Sequence, residues 1–204
     1  MVNGTIYTGA GSLANAAQSS ALITYNDLVA EPCGTNLSGQ TLGTSPGAVT
    51  LSPGVYCFNS SAQLTGTLTL DGSGVYIFQI GSTLTTASNS SVVLANGAAA
   101  GNVFWQVGSS ATLGATNAFV GSILALASDT VGASTSIAGR VIALTAAVTL
   151  DTDNITVTGC SGGGGGGGGH HKHCCANEDD DCDNQDGNHQ DGNHQDGNHQ
   201  EQDD

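Results

Sequence analysis

From Gly72 to Ser128 the chain runs 57 residues without one Asp, Glu, Lys, Arg or His. Charged residues make up about a quarter of an ordinary domain, so a stretch of this kind does not fold into ordinary solvated loops and helices. It is not a membrane span either. Its apolar runs, such as Val75-Tyr-Ile-Phe78 and Val103-Phe-Trp105, are short and set among Thr, Ser, Ala and Gly, far from the ~18 consecutive apolar residues that a spanning helix needs. What remains is a succession of short elements whose surface is built from hydroxyls and methyls.

The elements read as strands. From Leu42 onward the apolar pattern has period two: Val49–Leu51, Val55–Phe58, Leu64–Leu70, Val75–Ile80, Ser90–Leu94, Val103–Val107, Phe119–Leu126, Ile137–Leu144 and Val148–Leu150, separated by Gly, Ser, Asn or Pro-Gly turns. Loose repetition runs through them. Phe78-Gln-Ile-Gly-Ser82 returns as Trp105-Gln-Val-Gly-Ser109, and Thr112-Leu-Gly, Thr130-Val-Gly and Thr149-Leu-Asp follow at spacings of 18 and 19. Such a period suits a β-solenoid with three strand faces per coil; a β-sandwich is the alternative. One helix precedes the strands, over about residues 12–30. Ser12 is its N-cap, Ala14, Ala17, Ala21, Tyr25, Leu28 and Val29 recur on one face, and Glu31-Pro32 ends it.

Charge is unevenly placed. The formal net charge is −15, but residues 1–160 carry six acids against one base, Arg140, and the other eleven acids and all six histidines follow Cys160. Two basic residues in the whole chain leave no footprint for a phosphate backbone, which excludes nucleic acid, and an anionic membrane surface is disfavoured for the same reason. Met1-Val-Asn-Gly-Thr-Ile-Tyr lacks the basic and apolar regions of a secretory signal. Cys33 and Cys57 could pair in an oxidising compartment. The domain spans residues 1–160, a glycine linker occupies 161–169, and an acidic tail over 170–204, poor in apolar residues, is expected to be disordered. In that tail His170, His171, His173, Cys174, Cys175 and Cys182 could chelate Zn²⁺, Ni²⁺ or Cu weakly; a purely solubilising extension is the alternative.

Several segments carry a resemblance. Pro53-Gly-Val-Tyr-Cys-Phe58, Thr67-Leu-Thr-Leu-Asp71, Ile77-Phe-Gln-Ile-Gly-Ser-Thr-Leu-Thr85, Asn102–Gly114, Gly121-Ser-Ile-Leu-Ala125, Gly139-Arg140 and Val148-Thr-Leu-Asp151 together resemble the microbial ice-binding (antifreeze) family. The resemblance covers roughly Tyr7 to Val157. It implies a discontinuous right-handed, three-faced β-solenoid with one long helix packed alongside, a secreted location, a monomer, no cofactor, and ice or ordered water as the partner. It also implies strands ahead of the helix, for which this chain has only residues 1–11.

A solenoid face suits that partner physically. Strands stack about 4.8 Å apart and alternate residues lie about 6.6 Å apart, so Thr, Ser and Ala form a regular grid that can hold water in an ice-like arrangement. Stiff β-branched Thr preorganises it. The resemblance implies a Thr-Ala/Gly-x-Thr/Asn pattern on the ice-facing strands. Thr86-Ala-Ser-Asn89 fits, while Ala115-Thr-Asn-Ala118, Ala133-Ser-Thr-Ser136 and Thr152-Asp-Asn-Ile155 depart from it. The candidate ice contacts are therefore Thr86, Ser88, Asn89, Thr116, Asn117, Ala133, Thr135 and Thr152, and strand propensity alone is the alternative account of them. No enzyme is indicated. Glu31, Asp71, Asp129, Asp151 and Asp153 form no catalytic pair and are expected in solvated loops, no histidine precedes residue 170, Trp105 reads as core, and Arg140 reads as bracing a turn or pairing with a carboxylate. An extracellular adhesive or structural solenoid is the other function considered, as is a solenoid that merely carries a metal-binding tail.

Overall fold

Short strands keep their backbone hydrogen bonds only if neighbours lie on both sides, and this chain supplies the neighbours by winding. The computed structural model describes residues 13–44 and 46–157. The segment ahead of Leu13, the glycine linker and the His/Cys-bearing tail lie outside the described residues. All strand pairings are parallel, as consecutive coils of a solenoid require.

The first three coils use separate strands: β1 (Thr35–Asn36), β2 (Thr41–Leu42) and β3 (Thr50–Leu51); β4 (Gly54–Phe58), β5 (Ala62–Leu64) and β6 (Thr67–Asp71); β7 (Tyr76–Ile80), β8 (Leu84–Thr86) and β9 (Ser91–Ala95). Then come β10 (Val103–Val107), β11 (Ala111–Leu113), β12 (Ala118–Ala125), β13 (Asp129–Val131), β14 (Ser136–Ala143), β15 (Val148–Thr149) and β16 (Asn154–Thr156). Each turn gives one strand to a six-stranded sheet ordered β15-β13-β11-β8-β5-β2, and its other two segments to a ten-stranded sheet. The long β12 and β14 serve two successive turns each. Ala118 pairs with β9 while Phe104 to Val107 of β10 pair with the other end of β12.

Glycine makes that double use possible. Gly121 and Gly139 sit mid-strand with φ of 109° and 157°, and they stack on each other. A Cβ on Gly139 would lie 2.0 Å from the Gly121 carbonyl oxygen. No other residue fits there.

Inside, the turns stack like on like. Tyr56, Phe78, Trp105 and Phe119 form an aromatic column with centroid separations of 5.5, 3.9 and 5.0 Å. Each such ring removes about 150–250 Å² from water, so the column is a main source of stability. Trp105 is fully buried, as its sequence context indicates, and its indole N–H donates to the Val120 carbonyl at 2.9 Å.

Helix α1 (Leu13–Ala30) lies on the outer surface of the ten-stranded sheet. Tyr25 and Leu28, with Ala21 beside them, pack against Ile77, Leu124 and Leu144. Val29, expected on the same stripe, is 51% exposed, because a helix on a flat sheet buries only a narrow strip. The repeated glutamines hold the helix down. Gln79 Nε2 donates to the carbonyls of Leu28 and Glu31 at 2.7 Å each, and Gln106 Nε2 donates to the Tyr25 hydroxyl at 2.9 Å. The two Gln79 bonds satisfy carbonyls that the end of the helix leaves open. A Cys33–Cys57 disulfide ties the segment after the helix to β4. Arg140 stands exposed on β14 opposite Ser122.

A hydroxyl ladder and its polar corner

The helix leaves the six-stranded sheet uncovered. In β5, β8, β11 and β13 the middle residue points out and its two neighbours point in. Register then places Thr41, Gln63, Thr85, Thr112, Thr130 and Thr149 in one line across the sheet. The last four threonines are consecutive rungs, all exposed. Strand spacing sets those rungs about 4.8 Å apart, and cross-strand Thr pairs add about 0.2–1 kcal/mol each. Two residues back along each strand runs a parallel row of Ser61, Thr83, Ser110 and Ser128. Its hydroxyls pair at 2.8 Å (Ser61–Thr83) and 3.0 Å (Ser110–Ser128). Neither row contains a charge. Where Gln63 interrupts the threonines, a groove of 460 Å³ opens between Gly39, Gln40, Thr41, Ser61, Gln63 and Thr85.

The eight residues that the sequence pattern singles out lie one step further along, at the corner after each short strand. There the chain turns through Asn89, Thr116, Ser134 and Thr152, all in the left-handed region with φ of 61°, 60°, 60° and 56°. Three of the eight are interior. Thr86, Asn117 and Thr135 are 3%, 3% and 1% exposed. Their side chains knit successive coils: Asn117 Oδ1 accepts the Ser90 N–H at 2.7 Å, Thr135 Oγ1 accepts the Asn117 N–H at 3.2 Å, and Asp153 Oδ1 accepts the Thr135 N–H at 2.9 Å. Thr86 Oγ1 accepts the Gly114 N–H at 3.0 Å and the Asn117 side-chain amide. The other five are at the surface. Ser88, Asn89, Thr116 and Thr152 are exposed and Ala133 is half-buried, so they form a rim beside the ladder. The ladder itself escapes the pattern search, although the repeats Thr112-Leu-Gly, Thr130-Val-Gly and Thr149-Leu-Asp already mark three of its rungs.

One acid corrects an expectation. Asp129 is not in a solvated loop: it begins β13, faces inward and is 1% exposed. The inward position is fixed by alternation, since Thr130 next to it belongs to the outer ladder. Burial pushes its carboxyl up to about 7. Among the described residues no three His, Cys, Asp or Glu side chains converge to hold a metal; the histidines and cysteines read as chelators lie outside them. No helix among them is long and apolar enough to cross a membrane.

The fold and its surface define a parallel β-solenoid with a flanking helix and an uncharged, regularly spaced hydroxyl face. The chain belongs to the ice-binding-like family, whose model matches residues 1–156. It is 50% identical over 161 residues to an ice-binding protein of Nostoc sp. (strain HG1), an alignment that covers 76% of this chain and 58% of that one. It is 36% identical over 156 residues to ice-binding protein 1 of Shewanella frigidimarina, covering 74% of this chain and 17% of that one. The chain thus spans little more than half of the first of these relatives and less of the second. Among solved structures, the ice-binding protein of the Antarctic ascomycete Antarctomyces psychrotrophicus superposes with a TM-score of 0.68 at 35% identity, covering 72% of each chain.

Proposed function

We propose that this chain is a non-enzymatic protein that adsorbs to ice through the outer surface of its six-stranded sheet and so inhibits ice growth or recrystallisation. Family membership supports the class of activity. The observation that carries the choice of surface is the unbroken exposed run Thr85–Thr112–Thr130–Thr149, one threonine per coil in strict register. Methyls there shed water weakly while hydroxyls anchor it at lattice-like intervals, and the stiff χ1 of threonine limits the entropy lost on binding. Charge would instead fix a hydration shell foreign to a crystal. Ser88, Asn89, Thr116, Ala133 and Thr152 flank this plane as its rim. The protein works outside the cell, as a monomer, where the Cys33–Cys57 disulfide is stable.

Tyrosine scanning tests the assignment. Thr112→Tyr and Thr130→Tyr should abolish recrystallisation inhibition without lowering the melting temperature. Val93→Tyr, exposed on β9 of the ten-stranded sheet, should leave activity intact. An inactive parent chain would sink the ice reading itself. Full activity in both threonine variants would sink only the choice of face.

A further inference from the structure

Asp129 is the one residue whose buried side-chain oxygens have no hydrogen-bond partner among the described residues. Its neighbours in the stack are apolar. Ala111 of β11 and Val148 of β15 lie directly above and below it in the stack. Ala125, Val131 and Ile137 belong to the same core. The charged groups of the neighbouring elements face elsewhere: Arg140 of β14 and Asp151 are exposed, and Asp153 is engaged by the backbone amides of Thr135 and Asp151. Among the described residues no cation compensates it.

Beyond Asp129 in the stack lies the final coil. Among the described residues β15 pairs only with β13, and β16 only with β14. Every residue from Thr145 to Thr152 is exposed, with Val148 39% exposed. Few buried contacts and a single pairing edge mark a segment that opens locally at low cost. Its opening would hydrate the carboxyl.

We propose that Asp129 is a pH-sensitive latch on the C-terminal coil: protonated, it sits in the apolar interior and residues 144–157 stay closed; ionised, it favours their opening. The sign follows from proton binding. The closed state holds its proton up to about 7, whereas a hydrated aspartate releases it near 3.9. Opening therefore releases a proton and becomes easier as pH rises from about 4 to about 7, then levels off. The coil that opens carries Thr149 and borders Thr130. Ionisation would thus shorten the threonine run from one end, a consequence that rests on the ice-face reading above.

Hydrogen exchange on the full chain tests this. With intrinsic chemical exchange corrected for, opening of amides in 144–157 should rise about a hundredfold from pH 5 to pH 9, with β4 to β9 unchanged. Asp129→Asn should flatten the response. Asp129→Leu should remove it and protect the coil at both pH values, which covers the case in which the asparagine variant folds poorly. A pH-independent wild type, or the same response in either variant, overturns the latch. Recrystallisation inhibition at the two pH values reads the consequence separately. Activity that stays level while the coil opens overturns the link to the ice face, and inactivity at both pH values condemns the ice reading and not the latch.

Discussion

Asn117 separates holding the face together from touching ice. It is one of the candidate ice contacts of its coil, yet it is 3% exposed and joins three coils. Its Oδ1 accepts the Ser90 N–H at 2.7 Å, and its Nδ2 donates to Thr86. Asn117→Ala deletes two buried hydrogen bonds, each worth about 1 kcal/mol net. It also leaves the N–H of Ser90, itself 2% exposed, without an acceptor, at about 1–3 kcal/mol more. The expected loss is about 3–5 kcal/mol. For a domain of this size 1 kcal/mol moves the melting temperature by roughly 2–4 °C, so the midpoint should fall by about 6–20 °C in a circular-dichroism melt. Recrystallisation inhibition, assayed near freezing where the variant remains folded, should match the wild type per mole of folded protein. A melting temperature within about 2 °C of the wild type, or activity lost in fully folded protein, would refute the assignment of Asn117 to the interior.

Three further outcomes follow from the same geometry. Gln63→Thr should extend the run of four consecutive threonines to six and lower the concentration needed for recrystallisation inhibition; an unchanged or higher concentration counts against the ladder. Gly139→Ala places a methyl 2.0 Å from a backbone oxygen and should cost about 4 kcal/mol or more, visible as loss of soluble folded protein. Reducing the Cys33–Cys57 disulfide, which closes a loop with a sequence separation of 24, should cost about 3 kcal/mol, read as a lower melting temperature in dithiothreitol.

Most strands of five residues or more are legible in the sequence because alternation declares itself over that length: β4, β7, β9, β10, β12 and β14 lie within a residue of where the apolar pattern sets them. The three-residue strands β8, β11 and β13 are not, since one outward residue between two inward ones is too short to show a period. They also carry three of the four consecutive exposed threonines. The stretch Leu64–Leu70 reads as one strand but is two, because Thr65 and Gly66 turn the corner between sheets. The roles of Gln79 and Gln106 stay hidden for another reason. A repeated glutamine announces periodicity, not that its amide reaches a helix. Asp129 is the sharpest case, because an acid inside an apolar stack contradicts every local rule and only the register reveals it.

The corner holds a last consequence. Left-handed backbone suits Gly and Asn, whereas a β-branched residue there is an outlier. Asn89 fits, but Thr116 and Thr152 occupy the same conformation at φ of 60° and 56°. Each stores about 1 kcal/mol of strain, and Thr116 makes no side-chain hydrogen bond among the described residues that would offset it; its place in the stack is held by its backbone N–H to the Ala133 carbonyl at 2.9 Å. Strain retained at an exposed position without an internal reward points to the outward chemistry of the side chain. Thr116→Asn should therefore raise the melting temperature by about 2–4 °C while weakening recrystallisation inhibition, because a flexible amide replaces a rigid methyl and hydroxyl on the rim. If stability and activity both rise, the threonine serves neither the fold nor the ice, and the rim ends at the ladder.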